Sequence, residues 1–295
     1  MKKRIASDRL IAKIISYTVM TVIALVCVLP FVLVVSGSFT ANESIIRYGY
    51  SLLPRSFSLE AYAYAFRKPT EILYAYRVTI IVTTLGTVLS ILLCSMAAYV
   101  LSRKEYKHRN KLAFYFFFTT IFSGGLVPWY VLCVKYLHFK EMPYVALIMA
   151  SVFSFYNVVI LRSFMSSIPD SLVESAKIDG AKHFLIYWKI VMPLCKPALA
   201  TIALFVGLSY WNNYFNSLLF TSKPEHTTLQ FYLYKIINMM KNVNNEMLQA
   251  AGVTEYPAES FKMAMTVITT GPVLLAYPFA QKYLVKGMTV GAVKG

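Results

Sequence analysis

Polar and apolar positions along this chain separate into blocks. Six mostly apolar runs, at about 11–35, 76–101, 112–134, 144–164, 197–220 and 263–283, are divided by segments that carry most of the charge. A helix needs about 20 apolar residues to cross the hydrocarbon core of a bilayer, and runs of this length predict helices that do so. The pattern therefore predicts an all-α, polytopic membrane protein in which six transmembrane helices form one domain over residues 1–295. The first run follows Lys2, Lys3, Arg4, Arg9 and Lys13, as the core of a secretory signal would. That run is 25 residues long, whereas a signal core has about 7–15, so an uncleaved anchor helix is expected, with cleavage near Ser36-Gly37-Ser38 as the alternative.

Three runs contain residues that break helices: Pro30, the stretch from Ser123-Gly124-Gly125 to Pro128, and Gly271-Pro272. Freed backbone groups are tolerated at membrane depth where protein or a watery cavity satisfies them. Small residues there also permit close helix packing. Both readings stay open for Gly124-Gly125, and packing is expected at Gly271-Pro272.

Composition agrees with the pattern and narrows the function. The chain is 58% hydrophobic and 14% charged, against about 25% charged in soluble domains, which excludes a soluble enzyme. A net charge of +16 raises nucleic acid as a partner, yet the basic residues form no dense stripe on a polar scaffold. Membrane topology accounts for them instead. The segments at the N-terminus, 103–111, 162–196 and from Lys282 hold 18 Lys and Arg with 5 acidic residues; the alternate segments hold 11 with 8. Positive charge is retained in the cytoplasm, so both termini are expected inside, with +13 of the charge inside and +3 outside. Cys27, Cys94, Cys133 and Cys195 lie far apart, and His108, His138, His183 and His226 fall in four separate polar segments, so neither a metal site nor a disulfide framework is expected.

Between the fourth and fifth runs, residues 165–196 read as helix, turn, helix. Ser171 and Glu174 fit a capping box, Leu172, Val173 and Ala176 supply an apolar edge, and Asp179-Gly180 supplies the turn. Pro193 and Pro197 punctuate the return to the membrane. On spacing alone, Glu174 is a cap and Gly180 a turn residue, or the short helix bears on a partner.

The string Glu174-Ser175-Ala176-Lys177-Ile178-Asp179-Gly180-Ala181, with Ile190 and Pro193 following, resembles the EAA loop of ATP-binding-cassette (ABC) importer permeases. Ser175 stands where the pattern has a second alanine, and Met192 where it has leucine. Ala97 to Arg103, Trp211-Asn212-Asn213-Tyr214-Phe215 and the end from Lys286 to Gly295 extend the resemblance over nearly the whole chain, to the sugar-importer branch and its MalG-like permeases. Ser123 to Pro128 and Tyr277 to Tyr283 resemble the members associated with complex oligosaccharides.

The resemblance implies a type I importer fold and a subunit of the bacterial cell membrane. The implied partners are a second homologous permease, two ATPase subunits that carry ATP and Mg, and an extracytoplasmic binding protein that delivers a sugar or oligosaccharide. No G-x-x-x-x-G-K-[ST] phosphate loop occurs in the chain, so it holds no cofactor and is no enzyme in this reading. The implied coupling residues are Glu174, Ser175, Ala176, Asp179, Gly180, Ala181, Ile190 and Pro193, with Gly287, Thr289 and Gly291 of the tail also reaching the ATPase. A solvated terminus is the alternative for the tail.

In the fifth run, Ser209, Asn212, Asn213 and Asn216 recur at i, i+3, i+4 and i+7 and would share one helical face. Tyr210, Trp211, Tyr214 and Phe215 interleave with them, so hydroxyls and ring faces of a sugar would both find partners. Helix–helix bonding by the amides and interfacial anchoring by the rings are the alternatives. A permease for polyamine, phosphate or another solute also fits the loop motif. A transporter independent of ATP fits less well, because the span centres are nearly free of ionisable residues.

Overall fold

The computed structural model describes residues 2–67, 69–242 and 257–292. Among them the chain is helical, and its one β-type pairing is an isolated bridge from Thr40 to Phe57. In order the helices are α1 (Lys2–Ser38), α2 (Asn42–Tyr48), α3 (Glu60–Ala65), α4 (Pro69–Ser102), α5 (Arg109–Ile121), α6 (Leu126–Tyr136) and α7 (Pro143–Met149). They continue as α8 (Phe155–Met165), α9 (Asp170–Ile178), α10 (His183–Leu194), α11 (Lys196–Trp211), α12 (Phe215–Phe220), α13 (Leu229–Asn242) and α14 (Ala258–Ala292).

The apolar runs map onto these helices unevenly. The first, second and sixth fall on the unbroken α1, α4 and α14, whereas the other three are interrupted. By length and composition, Leu10–Ser38 and Pro69–Ser102 each suffice to cross a membrane among the described residues. Two further candidates are bent pairs, α5 with α6 at 109° and α10 with α11 at 82°. The fourth run divides into α7 and α8, and the fifth breaks after Trp211.

Of the expected breaks, one is real. Gly125 adopts φ +87 ahead of α6, a region costly for residues with a Cβ. Pro128 sits in the first turn of α6, where no helical N–H partner is lost. By contrast, Pro30 lies inside α1, and α14 runs through Pro272 and Pro278. The close packing expected at Gly271 is also not found among the described residues, since a Cβ there would meet none of them within 4 Å. Nor does α14 stop near 283: its backbone stays helical to Ala292, because an interior glycine weakens a helix by about 1 kcal/mol without ending it.

The chain divides into two compact units, Met1–Pro69 with Lys235–Gly271 and Thr70–Tyr234 with Pro272–Gly295. In the first, the ring of Phe39 stacks on Phe57 at 5.7 Å and meets Tyr62 at 5.2 Å. The Asn42 side-chain oxygen accepts the backbone N–H of Glu259 at 2.9 Å, capping the start of α14 from 217 residues away in sequence. Tyr50 donates its hydroxyl to Glu259 at 2.7 Å.

The second unit is built along α4. Val78, Val82, Cys94, Ala98 and Leu101 of α4 are buried with Val158, Leu161 and Met165 of α8 and Ala198, Ile202 and Val206 of α11. Gly86 allows the closest approach. A Cβ there would lie 2.6 Å from the ring of Tyr210, whose hydroxyl donates to the Ile148 carbonyl at 2.8 Å.

Candidate functional site

Two regions bring the sequence-derived candidates onto the fold. The first is α9 and its surroundings. The helix starts at Asp170 with Pro169 at the cap position and no side-chain capping bond, so the Ser171–Glu174 capping box is not formed. Proline fixes φ at the entry, and Asp170 places negative charge at the N-terminal end of the helix dipole, so the helix begins two residues earlier than that box would start it.

Its two faces differ. Val173 and Ala176 are buried in the core cluster with Ile186, Tyr187 and Val191. Glu174 and Ser175 point outward, and Ile178 and Leu172 are exposed, Ile178 at 86%. The C-terminus closes as a Schellman motif: the Gly180 N–H reaches the Lys177 carbonyl at 2.9 Å and the Ala181 N–H reaches the Ala176 carbonyl at 2.9 Å. Gly180 adopts φ +79, with open space where a Cβ would stand. Its requirement for glycine within this chain is therefore conformational. Asp179 is exposed beside it, Ile190 is half-buried in a π-helical turn of α10, and Pro193 is exposed just before the bend into α11.

Adjacent residues of the α4–α5 turn grip both ends of α9. Lys104 donates to Asp170 at 2.9 Å in the first turn, and Glu105 accepts from Lys177 in the last. Each partner also suits the helix dipole. The Lys177 ammonium bonded to Glu105 holds that carboxyl below its ordinary range, as Lys104 does for Asp170. Behind the grip, Arg103 is buried, donating to the Met165 carbonyl at 3.3 Å and lying 5.3 Å above the Tyr99 ring. Tyr99 and His183 are hydrogen-bonded at 3.2 Å, and Ser95 and Tyr187 at 2.8 Å. Sequence reasoning missed Lys104, Glu105 and Arg103 as parts of this assembly, because nothing in a run of mixed charge says which acid meets which base.

The second region is the break in the fifth run. Ser209, Asn212, Asn213 and Asn216 do not share a continuous helical face, because α11 ends at Trp211 and α12 begins at Phe215. The Asn213 side-chain oxygen accepts the Asn216 backbone N–H at 2.9 Å, and the buried Asn216 amide donates to the Ser151 hydroxyl at 2.9 Å. The exposed Asn212 accepts from Gln230 at 3.2 Å, and the Tyr214 ring stacks on Tyr234 at 5.0 Å. Trp211 lines an apolar cavity of about 200 Å³ with Thr83, Gly207 and Pro272. Ser209 lines another of about 220 Å³ with Ser151, Ser154, Tyr156, Asn157 and Tyr210. Of the tail candidates, Gly287, Thr289 and Gly291 fall on the final turns of α14, where the backbone alone is described, and 293–295 lie outside the described residues. Among the described residues no group of three or more His, Cys, Asp or Glu is placed to hold a metal ion.

Comparison with known proteins places this geometry. Over 280 residues the chain is 40% identical to the polygalacturonan/rhamnogalacturonan transport system permease protein YtcP of Bacillus subtilis (strain 168), covering 95% of this chain and 96% of that one. It is 30% identical to the trehalose/maltose transport system permease protein MalG of Thermococcus litoralis, over 92% and 93% of the two chains. Its fold matches, with a TM-score of 0.79 at 30% identity, a chain of a bacterial ABC transporter involved in the import of the acidic polysaccharide alginate, covering 94% of this chain and 97% of that one. Residues 9–290 match the family model for the binding-protein-dependent transport system inner membrane component. With its helical architecture and EAA-like loop, the chain belongs to that family of membrane transport subunits.

Proposed function

We propose that this chain is one permease of an ABC importer for oligosaccharides, and that α9 is the element through which a separate ATPase drives it. The observation that carries the proposal is the division of α9 into an anchored face, Val173 and Ala176, and a free face, Leu172, Glu174, Ser175 and Ile178. Leu172 and Ile178 leave apolar surface on the free face of a short, clamped helix, which a partner can cover. In this reading a second permease completes the path, an extracytoplasmic binding protein delivers substrate, and the partner ATPase holds ATP and Mg. The excess of Lys and Arg in the segments that include α9 supports placing them, and both termini, in the cytoplasm. The names of the relatives support an oligosaccharide as cargo. ATP-driven closure would move α9 with the core it is packed into, switching access from one side of the membrane to the other. The end of α14, with Gly287, Thr289 and Gly291, is assigned a second contact with the ATPase pair.

The test is Ile178→Glu in the complex assembled with its partner permease, ATPase and binding protein. Ile178 is too exposed to hold the fold together, so the membrane subunits should insert normally, while the ATPase dissociates and oligosaccharide uptake falls at least tenfold. Retention of the ATPase with unchanged uptake would overturn the assignment of α9.

A further inference from the structure

The cavity between the α7–α8 break and α11 is not accounted for by packing. Asn157 is 9% exposed, and its side-chain amide lines this cavity without a hydrogen bond to any described residue. A neutral hydrogen bond to such an amide is worth about 0.5–1.5 kcal/mol. Ser154, at the cap position of α8, makes no side-chain capping bond, although serine there ordinarily gives its oxygen to the first-turn N–H groups. Ser209 faces the same space from α11. Of the other polar groups, Ser151 accepts from Asn216 and the Tyr210 hydroxyl donates to Ile148, while the Tyr156 hydroxyl belongs to the exposed rim. The cavity therefore presents the Asn157 amide and the hydroxyls of Ser154 and Ser209, with ring surface from Tyr156, Phe205 and Tyr210, and no charged side chain among the described residues.

Lipid cannot satisfy such groups, so an occupant must offer hydrogen-bonding groups beside an apolar face. The space is a half-open groove with Tyr156 and Phe205 exposed at its rim, and its volume sets the scale of what it can hold. The cavity of about 220 Å³ far exceeds the roughly 10–15 Å³ that one water needs, yet falls short of the roughly 300–1,000 Å³ of pockets that enclose drug-sized ligands. That is room for one sugar ring. We propose that this cavity takes a single neutral pyranose unit of the transported chain, with Asn157, Ser154 and Ser209 on its hydroxyls and Tyr156 against its face. The inference rests on the oligosaccharide-import reading and sharpens it: a uronic acid unit would bring a carboxylate to a site with no cation to receive it.

The experiment uses the assembled complex and measures uptake of a neutral and a uronic oligosaccharide of equal length over a range of concentrations, with the amount of assembled complex quantified for every variant. Asn157→Leu should raise the concentration for half-maximal uptake of the neutral sugar about 5- to 10-fold, the scale of one neutral hydrogen bond. Ser154→Ala and Ser209→Ala, which remove one oxygen each, should raise it less. Asn157→Asp, which keeps an acceptor and adds charge, should penalise the uronic sugar more than the neutral one. Unchanged half-maximal concentrations in Asn157→Leu would overturn the inference. A loss confined to uronic sugars would overturn the neutral assignment. Loss of the partner permease from both Asn157→Leu and Ser154→Ala would show that a partner side chain fills the cavity, which also overturns it. A wild-type complex that transports neither sugar would overturn the importer reading itself, and this inference with it.

Discussion

Replacing Gly86 by alanine tests how tightly α4 and α11 are locked together. The added Cβ would stand 2.6, 2.8 and 2.9 Å from three ring carbons of Tyr210, where carbon atoms prefer about 3.5–4.0 Å. The ring must therefore retreat by about 0.7–1 Å. It has little freedom to do so, because Tyr210 is 3% exposed and its hydroxyl is tied to the Ile148 carbonyl at 2.8 Å. Such overpacking costs about 1–3 kcal/mol, and the stretched hydrogen bond adds about 1 kcal/mol. Against this, alanine in a helix interior is favoured over glycine by about 0.5–1 kcal/mol, so the net loss is about 1–3 kcal/mol. In a Tyr210→Leu background the ring is gone and only the propensity gain survives, so Gly86→Ala should become neutral or stabilising by up to about 1 kcal/mol. Unfolding of the four proteins in mixed micelles under increasing denaturing detergent yields the coupling energy as a double-mutant cycle. Equal destabilisation by Gly86→Ala in both backgrounds would refute the argument, since the ring would then not be what the glycine accommodates.

Three further outcomes follow from the surroundings of α9. Gly180→Ala should weaken ATPase association by raising the cost of the left-handed turn about 1 kcal/mol, and Gly180→Asn, which tolerates that conformation, should recover most of it; an Asn variant no better than Ala in pull-down would show that space, not φ, is the requirement. Lys104→Asp or Asp170→Lys alone should lower the number of oligosaccharides imported per ATP hydrolysed, and the double exchange should restore it; a double variant as uncoupled as the worse single would dissociate the ion pair from coupling. Glu105 and Asp170 have carboxyl pKa values held below the ordinary range by their lysines, so their contribution is fully present above about pH 4.5 and lost as pH falls through the depressed values; hydrogen exchange of α9 amides should be unchanged in protection between pH 7.5 and 5.5, and a loss of protection in that window would contradict the assignment.

How far the sequence could be read depended on whether a feature is local. Runs such as 76–101 declare a buried or membrane helix by composition alone, and α4 covers that run with seven more residues at its start and one at its end. The turn at Asp179-Gly180 was legible for the same reason: a left-handed C-terminal residue is a property of the glycine and its neighbours. The break after Trp211 was not legible. Asn212 and Asn213 are ordinary, if mediocre, helix residues, and the bonds that hold the break come from Asn216 in α12 and from Gln230 and Thr228, the latter two arriving only after the chain has returned from α12. The start of α9 was hidden for the same reason. Ser171 and Glu174 satisfy the capping pattern on paper, but Lys104 arrives from 66 residues away to engage Asp170 instead.

The polar residues inside the apolar runs follow one order of priority. Where a helix breaks at membrane depth, its freed N–H and carbonyl groups claim the nearest side chains first, because no water is present to take them. Asn213 takes the Asn216 N–H, Ser217 takes the Thr228 N–H at 3.2 Å, and Thr79 takes the Leu229 N–H at 2.8 Å. Asn213 and Asn216, which the sequence pattern offers to a sugar, are thereby committed to holding the break, and Asn216 is committed again through Ser151. Asn157 and Ser154 differ because they begin a helix, α8, whose first Ser154-accepted bond from Val158 is made by backbone alone. Their side chains remain available. An amide in an apolar run therefore becomes a candidate for recognition only once the backbone of its own break has been satisfied, and by that criterion recognition moves from the asparagines of the fifth run to Asn157 of the fourth, with Ser209 the one residue of the original stripe that still faces it.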